Sequence, residues 1–186
     1  GCVKIRPQIS LCETKSDLSE DEIGTFDEMG KKYISYVNED STALKNELSS
    51  FAKTLPSTQN VELLIDNIKQ QFGDFSNPKL VNVFKIKTTP NSPIICTGDL
   101  SNKKDNYFVA GAQDLSNFVI IIHEVTTGSG KVNFINEIVK EEEVWKLRAF
   151  QFQLKELNGR TADYFLDLGD KQLDKGNNRN ALFLFS

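Results

Sequence analysis

The sequence predicts a segregated α+β domain, with helices first and a curved, mostly antiparallel sheet after them. Between residues 19 and 73 the apolar residues recur at helical spacing. From residue 81 to residue 154, short apolar runs alternate with turn signals about every 8–12 residues, which is typical of strands joined by hairpins. Because the helices precede the strands instead of alternating with them, we expect separate layers and not parallel βαβ units. A curved sheet wrapped over the helices would bury both apolar sets.

Three helices are predicted in the first part of the chain. Ser19 and Glu22 form a capping-box pattern that marks the start of the first helix. Residues 38–41 interrupt its apolar spacing and can cap a second helix, which continues to Pro56. The third helix opens at Pro56 and ends at Gly73, since glycine is favoured just past a helix C-terminus.

The second part of the chain predicts six strands. They are 81–87, 93–97, 107–112, 118–125, 131–139 and 144–154. In the last strand we expect Trp145, Leu147 and Ala149 to share one face. Residues 126–130 (Thr-Thr-Gly-Ser-Gly) predict a hairpin turn. Their likeness to a phosphate loop is superficial, because the spacing is wrong and a strand, not a helix, follows.

The domain organisation expected from these elements has three parts. Residues 1–18 form a tether, residues 19–157 the α+β domain, and residues 160–186 a helical hairpin. In the hairpin, residues 162–175 predict one helix and residues 180–185 the start of another.

Composition and charge limit the classes of function. The formal net charge is −4, and no extended basic face is evident, which argues against nucleic-acid binding. No apolar run approaches the roughly 20 residues that a membrane-spanning helix needs.

The chain start and its cysteine are typical of an exported lipoprotein. Cys2 directly follows Gly1, which resembles a mature bacterial lipoprotein whose first cysteine carries the lipid; the alternative is an ordinary cysteine near an arbitrary start. The resemblance implies a lipid-anchored protein of the cell envelope, on the outer-membrane or periplasmic side. Export would place Cys12 and Cys96 in an oxidising compartment where they can pair, and the alternative is two unpaired cysteines.

Two stretches carry a resemblance to a known fold family. Phe72-Gly73-Asp74-Phe75 follows the helices, and Glu-Val-Trp-Lys-Leu-Arg-Ala-Phe occupies residues 143–150 near the end of the sheet. With the order of elements, these resemble the nuclear transport factor two-like, or cystatin-like, α+β cone over residues 20–155. The resemblance implies a cone-shaped pocket between sheet and helices, but no single activity, because such cones host several.

The tail resembles the start of a tetratricopeptide repeat. Leu168-Gly169, Gly176, Ala181 and Phe185 fit the spacing of that repeat, whereas Gln172 stands where the repeat usually has an aromatic residue. A generic helical hairpin is the alternative.

The search for chemistry yields candidates and no catalytic motif. His123, Tyr107 and Trp145 are the candidate pocket residues, and we expect no metal and no cofactor. The chain has one histidine, so a metal site with two histidine ligands is not possible. In isomerases of the cone superfamily an Asp moves a proton and a Tyr stabilises the oxyanion. Tyr107 with Asp99 or Asp114 could take those roles, although no motif selects them. A Cys96–His123 dyad, with a thiol nucleophile and a histidine base, is a separate possibility that has no motif support either. Asp105 is a further loop carboxylate.

These observations favour a non-catalytic binding or interaction module over an enzyme. Its partner would be a protein or a small apolar ligand. The alternative is a small cone-fold enzyme, isomerase- or hydrolase-like, that acts on an apolar molecule. Association into a homodimer through the outer sheet face is a third hypothesis.

Overall fold

The protein was analysed as a computed structural model, which describes residues 11–56, 60–88, 95–97, 108–110 and 117–177. The α-helices are α1 (Glu20–Glu39), α2 (Ser41–Glu47), α3 (Ser50–Thr54), α4 (Val61–Phe72) and α5 (Ala162–Asp174). The strands are β1 (Leu11–Thr14), β2 (Ser76–Lys87), β3 (Ile95–Thr97), β4 (Phe108–Ala110), β5 (Asn117–Thr127), β6 (Gly130–Glu141), β7 (Val144–Leu157) and β8 (Arg160–Thr161).

Six strands form one curled antiparallel sheet, in the order β1-β2-β5-β6-β7-β8. A second, two-stranded sheet pairs β3 with β4. The predicted α+β class, with N-terminal helices on a curved sheet and a helix after it, is confirmed. Residues 126–130 form a hairpin turn between β5 and β6 as predicted, since Thr127 pairs with Gly130 across it.

Helix α1 begins as its sequence predicts. The Glu22 backbone N–H donates to Ser19 Oγ at 3.3 Å, and the Ser19 N–H donates to the Glu22 carboxylate at 3.3 Å. The two residues thus satisfy each other's free backbone donors. The helix then buries Phe26, Tyr33 and Val37 against the sheet.

The second predicted helix is broken into α2 and α3. Asp40 caps α2 by accepting from the Ala43 N–H at 2.9 Å, as the sequence suggested. At Ser49, however, the backbone N–H donates 2.7 Å to the carbonyl of Leu147 on β7 instead of to a helical carbonyl. The Ser49 hydroxyl then caps α3 through the Ala52 N–H. The helix therefore ends where the edge of the sheet offers its backbone a partner.

Apolar side chains cover both faces of the sheet. The concave face packs on the helices, and the apolar layer between them includes the helix residues Phe26, Tyr33 and Ile65 and the strand residues Ile121, Phe134 and Leu147. Four aromatic rings fill part of this layer, with Phe134–Phe152 centroids 4.9 Å apart and Phe75–Phe152 centroids 5.3 Å apart. The convex face buries a second cluster of Phe84, Ile86, Cys96, Phe118, Ile120, Ile122 and Val139.

The N-terminal segment differs from a free tether. Residues 11–14 form β1, which pairs antiparallel with β2 from Leu11↔Lys87 to Thr14↔Phe84. A disulfide joins Cys12 to Cys96, so it links the large sheet to β3 of the small one. The segment orders because it completes the sheet edge and covers apolar residues of the convex face.

One predicted side-chain orientation in β7 is wrong. Trp145 and Leu147 share one face as expected, and that face turns toward the concave core. A bulge at Arg148 follows, because Ile138 pairs with Leu147 while the neighbouring Glu137 pairs with Ala149. The extra residue reverses the alternation, so Ala149 is exposed and the rings after it face the core.

The tail begins with the predicted helix. Helix α5 covers residues 162–174 and follows β8, while the expected second helix at 180–185 lies outside the described residues. Among the helices that the structure describes, none has the length and apolar character needed to cross a membrane.

Candidate functional site

An open cleft lies at the end of the sheet where α1 begins. Its volume is about 940 Å³. The N-terminal turns of α1 form one wall, α3 contributes Phe51, and the adjoining ends of β2, β5, β6 and β7 form the rest. The cleft is thus the mouth of the curled sheet, while the buried side chains of the concave cluster fill the layer behind it.

Aromatic rings make up much of the apolar part of the cleft, which is lined by Phe26, Phe51, Phe118 and Trp145 together with Ile86 and Val139. Phe26 and Trp145 meet edge to face with ring centroids 5.6 Å apart. Phe51 is 44% exposed, and the guanidinium of Arg148 lies 4.6 Å from its ring centroid. Such rings offer large apolar surface with few rotatable bonds, which suits a surface that binds an apolar group.

Charged residues surround these rings, and several of them pair within the cleft. Glu22 Oε1 accepts from Lys85 Nζ at 2.6 Å. The hydrogen bond from Lys85, with those from Ser19, lowers the pKa of the Glu22 carboxyl to about 2. Glu141 accepts from the Ser50 backbone N–H at 2.9 Å, which ties the end of β6 to α3.

The β6–β7 hairpin at the lip of the cleft has an unusual backbone. Its two turn residues, Glu142 and Glu143, have φ of 47° and 67°, the left-handed region that favours Gly and Asn. Glu143 pairs with Lys140 in the same hairpin. The turn therefore presents two carboxylates at the cleft at some cost in backbone strain.

His123 lies away from the cleft, between β5 and α1. Its side chain is fully buried, and Nε2 is 2.8 Å from Asp27 Oδ1. The other oxygen of Asp27 lies 2.8 Å from Lys31 Nζ on the outer side of α1. Burial lowers the pKa of His123 despite the opposing effect of Asp27. Burial alone would raise the pKa of Asp27, but the hydrogen bonds from Lys31 and His123 bring it below its ordinary value.

The neutral imidazole therefore carries its proton on Nε2. This N–H donates a hydrogen bond to the Asp27 carboxylate. That tautomer leaves Nδ1 as an acceptor, and Nδ1 has no hydrogen-bond partner. The ring lies against Gly30 of α1.

The site residues predicted from the sequence lie in different parts of the structure. Trp145 lines the cleft and His123 does not. Cys2, Tyr107, Asp99, Asp105 and Asp114 lie outside the described residues. The Cys96–His123 dyad is wrong, because Cys96 is in a disulfide on the convex face whereas His123 faces α1 on the concave face.

Sequence reasoning missed the polar side chains that accompany His123 in the core. Asp27 reaches the imidazole, and Tyr33 and Asn136 are fully buried with unpartnered polar atoms. Their common signal was position: each occupies a core-facing place in a helix or strand whose neighbours are apolar. In the described part of the chain, no group of three or more His, Cys, Asp or Glu side chains is placed to hold a metal ion.

The fold and the cleft define this chain as an α+β domain with a curled antiparallel sheet and an open mouth. Comparison with protein-family models, with curated proteins and with solved structures finds no match to it.

Proposed function

We propose that this chain is a non-catalytic binding module whose cleft takes a small molecule with an apolar body. The observation that carries the proposal is the set of rings Phe26, Phe51 and Trp145 in an open cleft of about 940 Å³. A volume of this size is within the range of small-molecule sites in proteins. Contact of the ligand with the rings would supply most of the affinity.

The charges of the cleft support binding more than chemistry. The pKa of Glu22 is held near 2 by Lys85 and Ser19, so this carboxyl stays ionised and is a poor proton donor near neutral pH. The Glu141 carboxylate accepts a hydrogen bond from Ser50, and Glu143 forms an ion pair with Lys140. Groups fixed in this way shape a rim and orient a ligand.

The single tryptophan of the chain makes the proposal directly measurable. Because Trp145 lines the cleft, its fluorescence should change saturably when 1-aminoanthracene, a neutral apolar probe, is titrated into the protein. Phe51→Ala removes an exposed ring of the cleft and should weaken binding about tenfold or more, since burial of a Phe contact contributes about 1.5–3 kcal/mol.

Leu63→Ala is the matched control. Leu63 is the most exposed of the large apolar side chains in the described residues, and it lies on α4 outside the cleft. It should leave the affinity unchanged. Absence of a saturable change in the wild-type protein, or equal loss in both variants, would overturn the proposal.

A cone-fold enzyme, isomerase- or hydrolase-like, is the second candidate. The observation that favours it is the buried contact of 2.8 Å between His123 and Asp27. In such an enzyme His123, on the inner face of the sheet, would be the base, and the Asp27 carboxylate on α1 would orient it. Hydrolysis of p-nitrophenyl butyrate by the wild type, lost in His123→Gln with the fold retained, would support this candidate. No turnover above the rate of the variant would count against it.

We further propose that the domain works in the cell envelope, attached through a lipid on Cys2. The Cys12–Cys96 disulfide supports an exported location, because such bonds persist in oxidising compartments. Mass spectrometry of the N-terminal peptide from the protein in its own cells tests the attachment. An unmodified Cys2 there would contradict it.

The alternative ligand of this module is a protein partner, which would bind the repeat-like tail or the sheet. Leu166 and Leu173 of α5 are 48% and 45% exposed, which would suit such a contact. Light scattering of the purified chain tests self-association, and a monomer at high concentration would argue against the homodimer.

A further inference from the structure

Four side chains that line the cleft stand in one row across the mouth of the sheet. Lys87 of β2 pairs with Asn117 of β5, and Lys140 of β6 pairs with Trp145 of β7. The register of β5 with β6 brings Asn117 opposite Lys140. Opposed residues of an antiparallel pair project from the same face, with Cβ atoms about 4.5–5.5 Å apart. Because Trp145 packs against the concave core, the whole row faces the interior of the cleft.

The row holds a cation that no carboxylate of the described structure neutralises. Of the four basic side chains that line the cleft, Lys85 pairs with Glu22 and Arg148 with Glu137. Lys87 forms no ion pair with any residue that the structure describes. Its ammonium group is therefore free to meet a charge on a ligand.

The second lysine of the row is held only by a weak partner. Lys140 pairs with Glu143, whose side chain is 88% exposed, within the same hairpin. Ion pairs between exposed side chains contribute only about 0–1 kcal/mol, so a ligand can replace this one at low cost. Lys87 and Lys140 are two strands apart, about 10 Å across the sheet, and Asn117 lies between them. Both ammonium groups can reach a group that sits above Asn117.

We propose, on the basis of the binding module proposed above, that the ligand of the cleft is an apolar molecule that carries a carboxylate. The basic row (Lys87, Asn117 and Lys140) binds the carboxylate, and the neighbouring rings of Trp145 and Phe26 bind the apolar body. A carboxylate accepts charge-assisted hydrogen bonds from ammonium groups and a further one from the amide N–H of asparagine.

The carboxylates of the cleft do not form a comparable site for a cation. Three of the five are engaged by other groups of the protein: Glu22, Glu141 and Glu143. The other two, Asp21 and Glu142, belong to α1 and to the β6–β7 turn, and no pairing brings them together. The basic row, in contrast, is contiguous along the sheet and ends at Trp145. The arrangement therefore favours an anionic head group over an ammonium.

Displacement of 1-aminoanthracene by three compounds with one chain and different head groups tests the proposal. Decanoate, 1-decanol and decylamine are titrated into the complex of the full chain with the probe, below their micelle concentrations. We expect decanoate to displace the probe at a concentration about tenfold lower than decanol, because a hydrogen bond to a charged group contributes about 1.5–3 kcal/mol. Decylamine should be the weakest competitor.

Lys87→Met should abolish most of the preference for decanoate over decanol, and Lys87→Arg should retain it. Lys79→Met is the matched control, because Lys79 is an exposed lysine at the other end of the same strand and lies outside the cleft. It changes the net charge equally and should leave the preference unchanged. All three side chains are replaced at exposed positions, so the variants should fold.

The outcomes separate this proposal from the proposed function. Saturable binding of 1-aminoanthracene with equal displacement by all three compounds would leave the apolar cleft in place and overturn the carboxylate. Equal effects of Lys87→Met and Lys79→Met would do the same. A preference for decylamine would assign the head group to Asp21 and Glu142 and also overturn the proposal. Absence of probe binding would overturn both.

Discussion

The imidazole of His123 lies so close to Gly30 that a Cβ on this glycine would be 2.3 Å from Cε1 and 2.6 Å from Nδ1. Real Cβ atoms do not approach other atoms this closely. The absence of a side chain at Gly30 therefore allows α1 to pack closely on β5. The same close approach brings Asp27 within hydrogen-bonding distance of the ring. The contact between α1 and β5 at this point therefore requires a glycine at position 30 and a histidine at position 123.

Gly30→Ala should destabilise the protein, because the new methyl group must displace the ring or the helix. Overpacking of this kind costs about 1–3 kcal/mol, more than the gain in helix propensity. Urea unfolding followed by circular dichroism gives the free energy. Gly24→Ala on the same helix is the control, since a Cβ there meets nothing within 4 Å; it should stabilise by up to about 1 kcal/mol. Equal effects of the two changes would contradict the close contact.

Acidification below about pH 6.5 should weaken the fold through His123. Burial lowers the pKa of this histidine in the folded state, so the unfolded chain binds the proton first as the pH falls below about 6.5. The stabilisation is present above that value and is lost as the pH decreases, with a slope of at most about 1.4 kcal/mol per pH unit.

Urea titrations at pH 7.5, 6.5 and 5.5 measure this dependence. His123→Leu should flatten it, because the chain has no other histidine. The Asp27 carboxyl acts in a different range: its lowered pKa adds stability that is lost only below about pH 4. An unchanged slope in His123→Leu would assign the dependence to other groups.

The β6–β7 turn should become more stable when its sequence matches its backbone. Glu142→Asn with Glu143→Gly places the preferred residues at two left-handed positions, and we expect a gain of about 1 kcal/mol in unfolding free energy. Glu142→Gln with Glu143→Gln removes the same charges without that conformational preference. If the Gln pair stabilises as much as the Asn-Gly pair, repulsion between carboxylates and not backbone strain is the cause.

Reduction of the Cys12–Cys96 disulfide should lower the stability of the whole domain. The bond spans a sequence separation of 84 residues, and the loop-entropy relation gives about 4–5 kcal/mol for a loop of that size as an upper value. Comparison of unfolding midpoints with and without dithiothreitol measures the loss. The double variant Cys12→Ser with Cys96→Ala should show the lower midpoint and no response to the reductant.

Local patterns in the sequence determined the order and type of most elements. The capping box at Ser19, the end of α4 at Gly73 and the β5–β6 hairpin depend on residues close together in the chain, so their spacing alone predicts them. The same spacing predicted the segregated α+β class and the face that Trp145 shares with Leu147.

Only the tertiary structure decided the features that join distant parts of the chain. The break between α2 and α3 depends on a hydrogen bond from Ser49 to Leu147, and the bulge at Arg148 reversed the orientation expected for Ala149. Asp27 and His123 are 96 residues apart in sequence, and no local pattern encodes their meeting. Such contacts form because α1 packs across the curled sheet, which brings side chains together according to shape and burial and not according to their spacing along the chain.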